Sequence, residues 1–121
     1  MNKYKPLLIL FLLFWGSDSF AGEADVVEVK VNKNSENSYN FTVTVSHKDT
    51  GWKHYANKWD IVDEKGTVLG TRVLQHPHVE EQPFSRSLSG VKIPGHIKTV
   101  TIHAHDSVHE YGGKVISVEL P

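Results

Sequence analysis

The sequence predicts an all-β domain, an antiparallel β-sandwich of about seven strands of the immunoglobulin or fibronectin type III kind. Alternation, turn spacing and one tryptophan carry that expectation. From Asp25 onward apolar and polar residues alternate in short bursts, the period of half-buried strands, and clusters of turn residues separate the bursts at the spacing of a sandwich. Trp59 falls in the third burst, where this architecture keeps a buried tryptophan.

The first burst sets Val27, Val29 and Val31 on one face against Glu28 and Lys30, and Asn32 to Asn37 reads as a polar turn. Ser38 to Ser46 is the clearest strand: Tyr39, Phe41, Val43 and Val45 point one way and Asn40, Thr42, Thr44 and Ser46 the other, so one face is dry and one wet. A long connection, His47 to Asn57, leads to a strand with Trp59 and Ile61 inward. Asp63-Glu64-Lys65-Gly66 then closes a tight hairpin into Val68 to Leu74. Pro77 and Pro83 forbid a central strand between them, so His76 to Pro83 is an exposed loop. Phe84 to Val91 forms the fifth strand, Ile93 to His96 a turn, and Thr99 to His105 a strand burying Val100, Ile102 and Ala104. Asp106 to Gly113 is a connection ending in a flexible glycine pair, after which Ile116, Val118 and Leu120 face inward on the last strand.

The first 21 residues have the plan of a secretory leader. Lys3 and Lys5 precede nine apolar residues from Leu7 to Trp15, and the small residues Ser19 and Ala21 suit cleavage before Gly22. Nine residues fall short of the roughly 20 that span a bilayer as a helix. Residues 22–121 are then one domain, periplasmic or secreted, with no stable membrane anchor. With no cysteine in the chain, disulfides, thiol chemistry and thioether-linked lipid are excluded. Residues 22–121 carry 11 basic and 13 acidic side chains without a basic stripe, which argues against a nucleic-acid partner.

All eight histidines lie beyond the leader. If consecutive strands run antiparallel, alternate connections share an end of the sandwich. That parity gathers His47, His54, His76, His78, His105 and His109 at one end, with His103 just below, and leaves His96 at the other. Asp49, Glu80, Glu81, Asp106 and Glu110 join the first end. Imidazole is the usual donor to zinc and copper(II), and carboxylates can complete the shell. His76 with His78, and His103 with His105, each project to one side of extended backbone. The metal ligands expected on this basis are His54, His76, His78, His103, His105, Asp106 and His109, and the cofactor zinc or copper(II).

Against this stands a structural role, in which the histidines hydrogen-bond loop backbone and His47 merely ends its strand. No linear zinc motif is present. A second function uses the same loops to hold a periplasmic protein, with Trp52, Tyr55 and Tyr111 as the contact residues. Asp106, Ser107 and His109 have the residue types of a hydrolase triad, but no nucleophile-elbow motif accompanies them, and the domain reads as non-catalytic.

The stretches Gly51-Trp52-x-His54-Tyr55-Ala56-x-x-Trp59, His76-Pro77-His78-Val79-x-Glu81-Gln82-Pro83-Phe84 and His105-Asp106-Ser107-Val108-His109-x-Tyr111-Gly112-Gly113-Lys114 resemble a family of small exported bacterial proteins. The resemblance spans most of residues 22–121. It implies a shared sandwich domain and an exported product, and it brings no activity with it.

Overall fold

The computed structural model describes residues 22–121; the leader assigned to residues 1–21 lies outside them. Seven strands follow one another: β1 (Asp25–Ser35), β2 (Ser38–Ser46), β3 (Ala56–Val62), β4 (Val68–Val73), β5 (Phe84–Lys92), β6 (Thr99–Asp106) and β7 (Ile116–Glu119). Every pairing is antiparallel, in a three-stranded sheet of order β1-β2-β5 and a four-stranded sheet of order β4-β3-β6-β7. Among the described residues no helix is long and apolar enough to cross a membrane.

The core is the meeting of two alternating rows. Tyr39, Phe41, Val43 and Val45 of β2 face Trp59 and Ile61 of β3 and Val100, Ile102 and Ala104 of β6, all of them buried. A pleated strand delivers every second side chain to one face, so each row follows directly from the sequence pattern. Leu74, just past β4, is buried as well, and its amide donates to the Asn57 carbonyl.

Two local expectations are corrected. In β1 the inward valine is Val26, while Val27 is 47% exposed. The register shifts between Val26 and Glu28, and a bulge of this kind adds one residue and changes which side chain faces the core. Val29 and Val31 pack against the core as expected. The polar turn at Asn32–Asn37 shrinks to Glu36 and Asn37, because β1 continues to Ser35 beside β2. Asn37 takes the left-handed conformation (φ 59°) that asparagine tolerates better than most residues.

The β2–β3, β4–β5 and β6–β7 connections converge at one end and are tied to one another. Ser107 N donates to the Tyr55 carbonyl at 3.0 Å, His47 N to Gln82 Oε1 at 2.9 Å, and His78 N to Asp49 Oδ2 at 2.6 Å. The opposite end carries the Asp63–Gly66 turn, where Asp63 Oδ1 accepts from Lys65 N and Thr67 N, with His96 close by.

Phe41 is wholly buried at the centre of the β2 row, so Phe41→Ala is expected to cost about 3–5 kcal/mol. Urea unfolding should show this as a lower midpoint at unchanged slope; a loss below about 1 kcal/mol would contradict the core assignment.

Candidate metal centre

Both core rows run on into polar residues at the crowded end. The odd-numbered row of β2 continues past Val45 to His47, which is 3% exposed, and the even-numbered row of β6 ends in Asp106, which is 0% exposed. A carboxylate in that position loses its water and must be given hydrogen-bond donors in return. Asp106 Oδ1 accepts the amides of Val108, at 2.8 Å, and His109, in a tight turn closed by reciprocal backbone bonds between Asp106 and Glu110. Burial pushes the Asp106 carboxyl up. The His109 and Val108 amides and the His109 and His47 rings outweigh it and hold the group below the usual carboxylate range.

Asp106 Oδ2 is left facing imidazoles. It lies 3.0 Å from His47 Nε2, 3.4 Å from His54 Nε2 and 3.2 Å from His109 Nδ1. The Gly22 carbonyl oxygen meets the same three nitrogens at 2.9, 3.0 and 2.9 Å. The ring of His54 lies 4.9 Å from that of His47 and 5.0 Å from that of His109, centroid to centroid. His47, His54 and Asp106 offer donor atoms all within 4.8 Å of one another and could hold a metal ion. Bonds of about 2.1 Å to zinc set tetrahedral ligands roughly 3.4 Å apart, the spacing of His54 Nε2 from Asp106 Oδ2, while the other contacts of the cluster are at hydrogen-bond length.

His47 is oriented from behind. Its Nδ1 is hydrogen-bonded to Asp49 Oδ1, and since an ionised carboxylate can only accept, Nδ1 is the donor of that bond and Nε2 is the atom turned to the cluster. Asp49 is itself fixed by the amides of Ala56, at 3.0 Å, and His78. Nε2 faces a carboxylate and a carbonyl, two further acceptors; carrying a second proton it donates to them, and without one it presents a lone pair. A cation, either a second proton or a metal ion, is needed between them.

The expected site residues divide three ways. His54, Asp106 and His109 come together, and His47, read from sequence as a strand end, joins them; its signal was its odd-numbered place after Val45. His103 and His105 do not reach this cluster, because alternation along β6 turns them to the outer face while Asp106 turns inward. His105 Nδ1 bonds Asn57 Oδ1 at 2.7 Å and its ring meets the edge of Tyr111 at 4.7 Å. His76 and His78 lie on the far side of Asp49. The His78 ring stacks on Phe84 at 3.9 Å and receives a 2.8 Å bond from Arg86 at Nε2, while His76 rests against it at 4.6 Å.

Of the aromatic trio, Trp52 is 67% exposed with Tyr55 against it at 5.6 Å, and Tyr111 turns its hydroxyl to Asp60. Burial and that bond raise the Tyr111 hydroxyl above its usual range. Asp60, on the outer face of β3 yet only 3% exposed under Tyr111 and Thr71, was not anticipated from sequence. Ser107 Oγ accepts from Tyr55 N and donates to the Lys53 carbonyl.

Burial, and next the Arg86 guanidinium, hold His78 below the usual imidazole value of 6.5. The unfolded chain then takes a proton that the folded chain refuses, so this residue makes stability fall as pH drops below about 6.5 toward the folded-state value. His78→Gln should show a shallower decline in urea midpoint between pH 6.5 and 5 than the parent chain; equal slopes would contradict the assignment.

No protein-family model and no solved structure matches the chain. It is 35% identical over 97 residues to a protein of Halomicrobium mukohataei that bears the name "Putative lipoprotein". The alignment covers 80% of this chain and 47% of that relative, so the chain spans about half the length of the relative it matches.

Proposed function

We propose that this is a non-catalytic, exported domain that binds one divalent transition ion, zinc or copper(II), through His47, His54, His109 and Asp106. The observation that carries the reading is the line Asp49–His47–Asp106: a buried imidazole backed by one carboxylate and aimed at another. Carboxylate–histidine–metal relays have this form, in which the outer acid fixes the tautomer and raises the basicity of the ligand. Three nitrogens and a carboxylate oxygen suit zinc or copper(II).

Export is supported by the leader pattern of residues 1–21 and by the name of the relative. The strand orders β1-β2-β5 and β4-β3-β6-β7 support a fibronectin type III-like arrangement within the immunoglobulin-like class. The use of Ser107 Oγ in tying two connections together supports a non-catalytic role.

A second reading, a docking module for a periplasmic protein, is favoured by Trp52, whose exposed indole stands beside Tyr55 at the same end as the histidines. The two separate cleanly in experiment. Partner capture that is lost in Trp52→Ala and indifferent to chelator would favour docking.

Calorimetric titration of chelator-treated protein with zinc or copper(II) should give one ion per chain. Binding should weaken as pH falls, because protons compete with the ion for the ring nitrogens. His47→Gln and Asp106→Asn should abolish it, Asp49→Asn should weaken it about 10–100-fold, and His103→Ala should leave it unchanged. Absence of binding at micromolar metal, or equal losses in His103→Ala and His47→Gln, would overturn the reading.

A further inference from the structure

The residue that meets the three imidazoles beside Asp106 is not a side chain. It is the main chain of Gly22, whose carbonyl oxygen lies within 3.0 Å of His47 Nε2, His54 Nε2 and His109 Nδ1. The strap from Gly22 to Asp25 that delivers this oxygen is tightly seated. Ala24 is buried, Lys114 N donates to Asp25 Oδ1 at 2.8 Å, and Val26 N donates to the Lys114 carbonyl at 2.9 Å. Gly112 and Gly113 form the cradle. A Cβ at Gly113 would sit 2.0 Å from the Ala24 carbonyl oxygen, and one at Gly112 would sit 2.1 Å from Glu23 Oε2. Gly22 is equally constrained, since a Cβ there would lie 2.6 Å from Cε1 of His109. Of the glycine pair read from sequence as flexible, Gly113 lies against the backbone of the strap, while Gly112 meets only the end of the Glu23 side chain.

Gly22 is also the residue that the leader pattern places first in the processed chain. We propose, resting on the metal reading above, that Gly22 is itself a ligand, through its carbonyl oxygen and, after leader removal, through its own α-amine. In the precursor that nitrogen is an amide, its lone pair delocalised into the Ala21 carbonyl and unavailable to a metal. Hydrolysis by a leader peptidase breaks the Ala21–Gly22 bond; water gives its hydroxyl to the Ala21 carbonyl carbon and its proton to the glycine nitrogen. The resulting amine has a localised lone pair that the amide lacked. Amine nitrogen and carbonyl oxygen of one residue close a five-membered ring on a single ion. The site is thus completed only after processing, and the ion is acquired outside the cytoplasm.

Four purified chains test this: one beginning at Gly22, one beginning at Ser19 so that three leader residues remain, one beginning at Glu23, and the Gly22 chain carrying His47→Gln. Circular dichroism confirms that each is folded, and zinc affinity is measured at pH 7.5. Disturbing an outer-shell partner already costs about 10–100-fold, so the Ser19 and Glu23 chains are expected to bind at least about ten-fold more weakly than the Gly22 chain. Intact mass of the exported protein should give Gly22 as its first residue. Equal affinity in the Gly22, Ser19 and Glu23 chains, with binding lost in His47→Gln, would overturn the role of Gly22 and leave the histidine site standing. Weak binding by the Glu23 chain alone would overturn the amine and keep the carbonyl. Failure of every chain to bind would overturn both this proposal and the reading beneath it.

Discussion

A carboxylate with no exposure to solvent, placed where the next residue of a core row should be, constrains everything at the working end of this domain. Asp106 sits in register with Val100, Ile102 and Ala104, and the price of its burial is met locally by two amides and three imidazoles. Those donors come from the β2–β3 and β6–β7 connections, so satisfying one acid requires both to fold inward over the open end of the sandwich. The chain has no cysteine, so no disulfide shares in holding these connections together.

Hydrophobic burial and the polar knot divide the molecule between them. The rows of β2, β3 and β6 give the sandwich its stability, and they also aim what lies beyond their ends. His47 and Asp106 come from different sheets, yet they meet because each is the next inward position after the last apolar one. The electrostatics then favour a positive charge between His47 Nε2 and the oxygens of Asp106 and Gly22, a place that a proton can fill and that a metal ion could.

The strands were legible in the sequence because period-two alternation is set by the backbone itself. Parity of the connections, which follows from the same alternation of direction, gathers the histidines at the end that holds the His47, His54 and Asp106 cluster. It does not tell which side chains meet there, because an end contains both an inside and an outside. His103 and His105 share a face with Thr101, and only the inward place of Asp106 separates it from them. His76 and His78 are at the same end as the cluster but beyond Asp49, a separation no spacing rule records. The bulge that buries Val26 in place of Val27 was hidden because a run of two valines fits either register. Asp60 was hidden for a similar reason: its burial comes from Tyr111, fifty-one residues away, folding across it.

Asp49 holds three parts of the chain at once: the ring of His47, the amide of Ala56 at the start of β3, and the amide of His78 between β4 and β5. Lengths of the segments meeting there are consequently not independent. An insertion in the β4–β5 connection would pull on the acid that steers His47, although neither residue in that contact belongs to the altered loop. The hairpin at Asp63–Gly66, whose hydrogen bonds are local, carries no such obligation, so drift in loop length over evolutionary time should collect at that tip and be scarce at the opposite end.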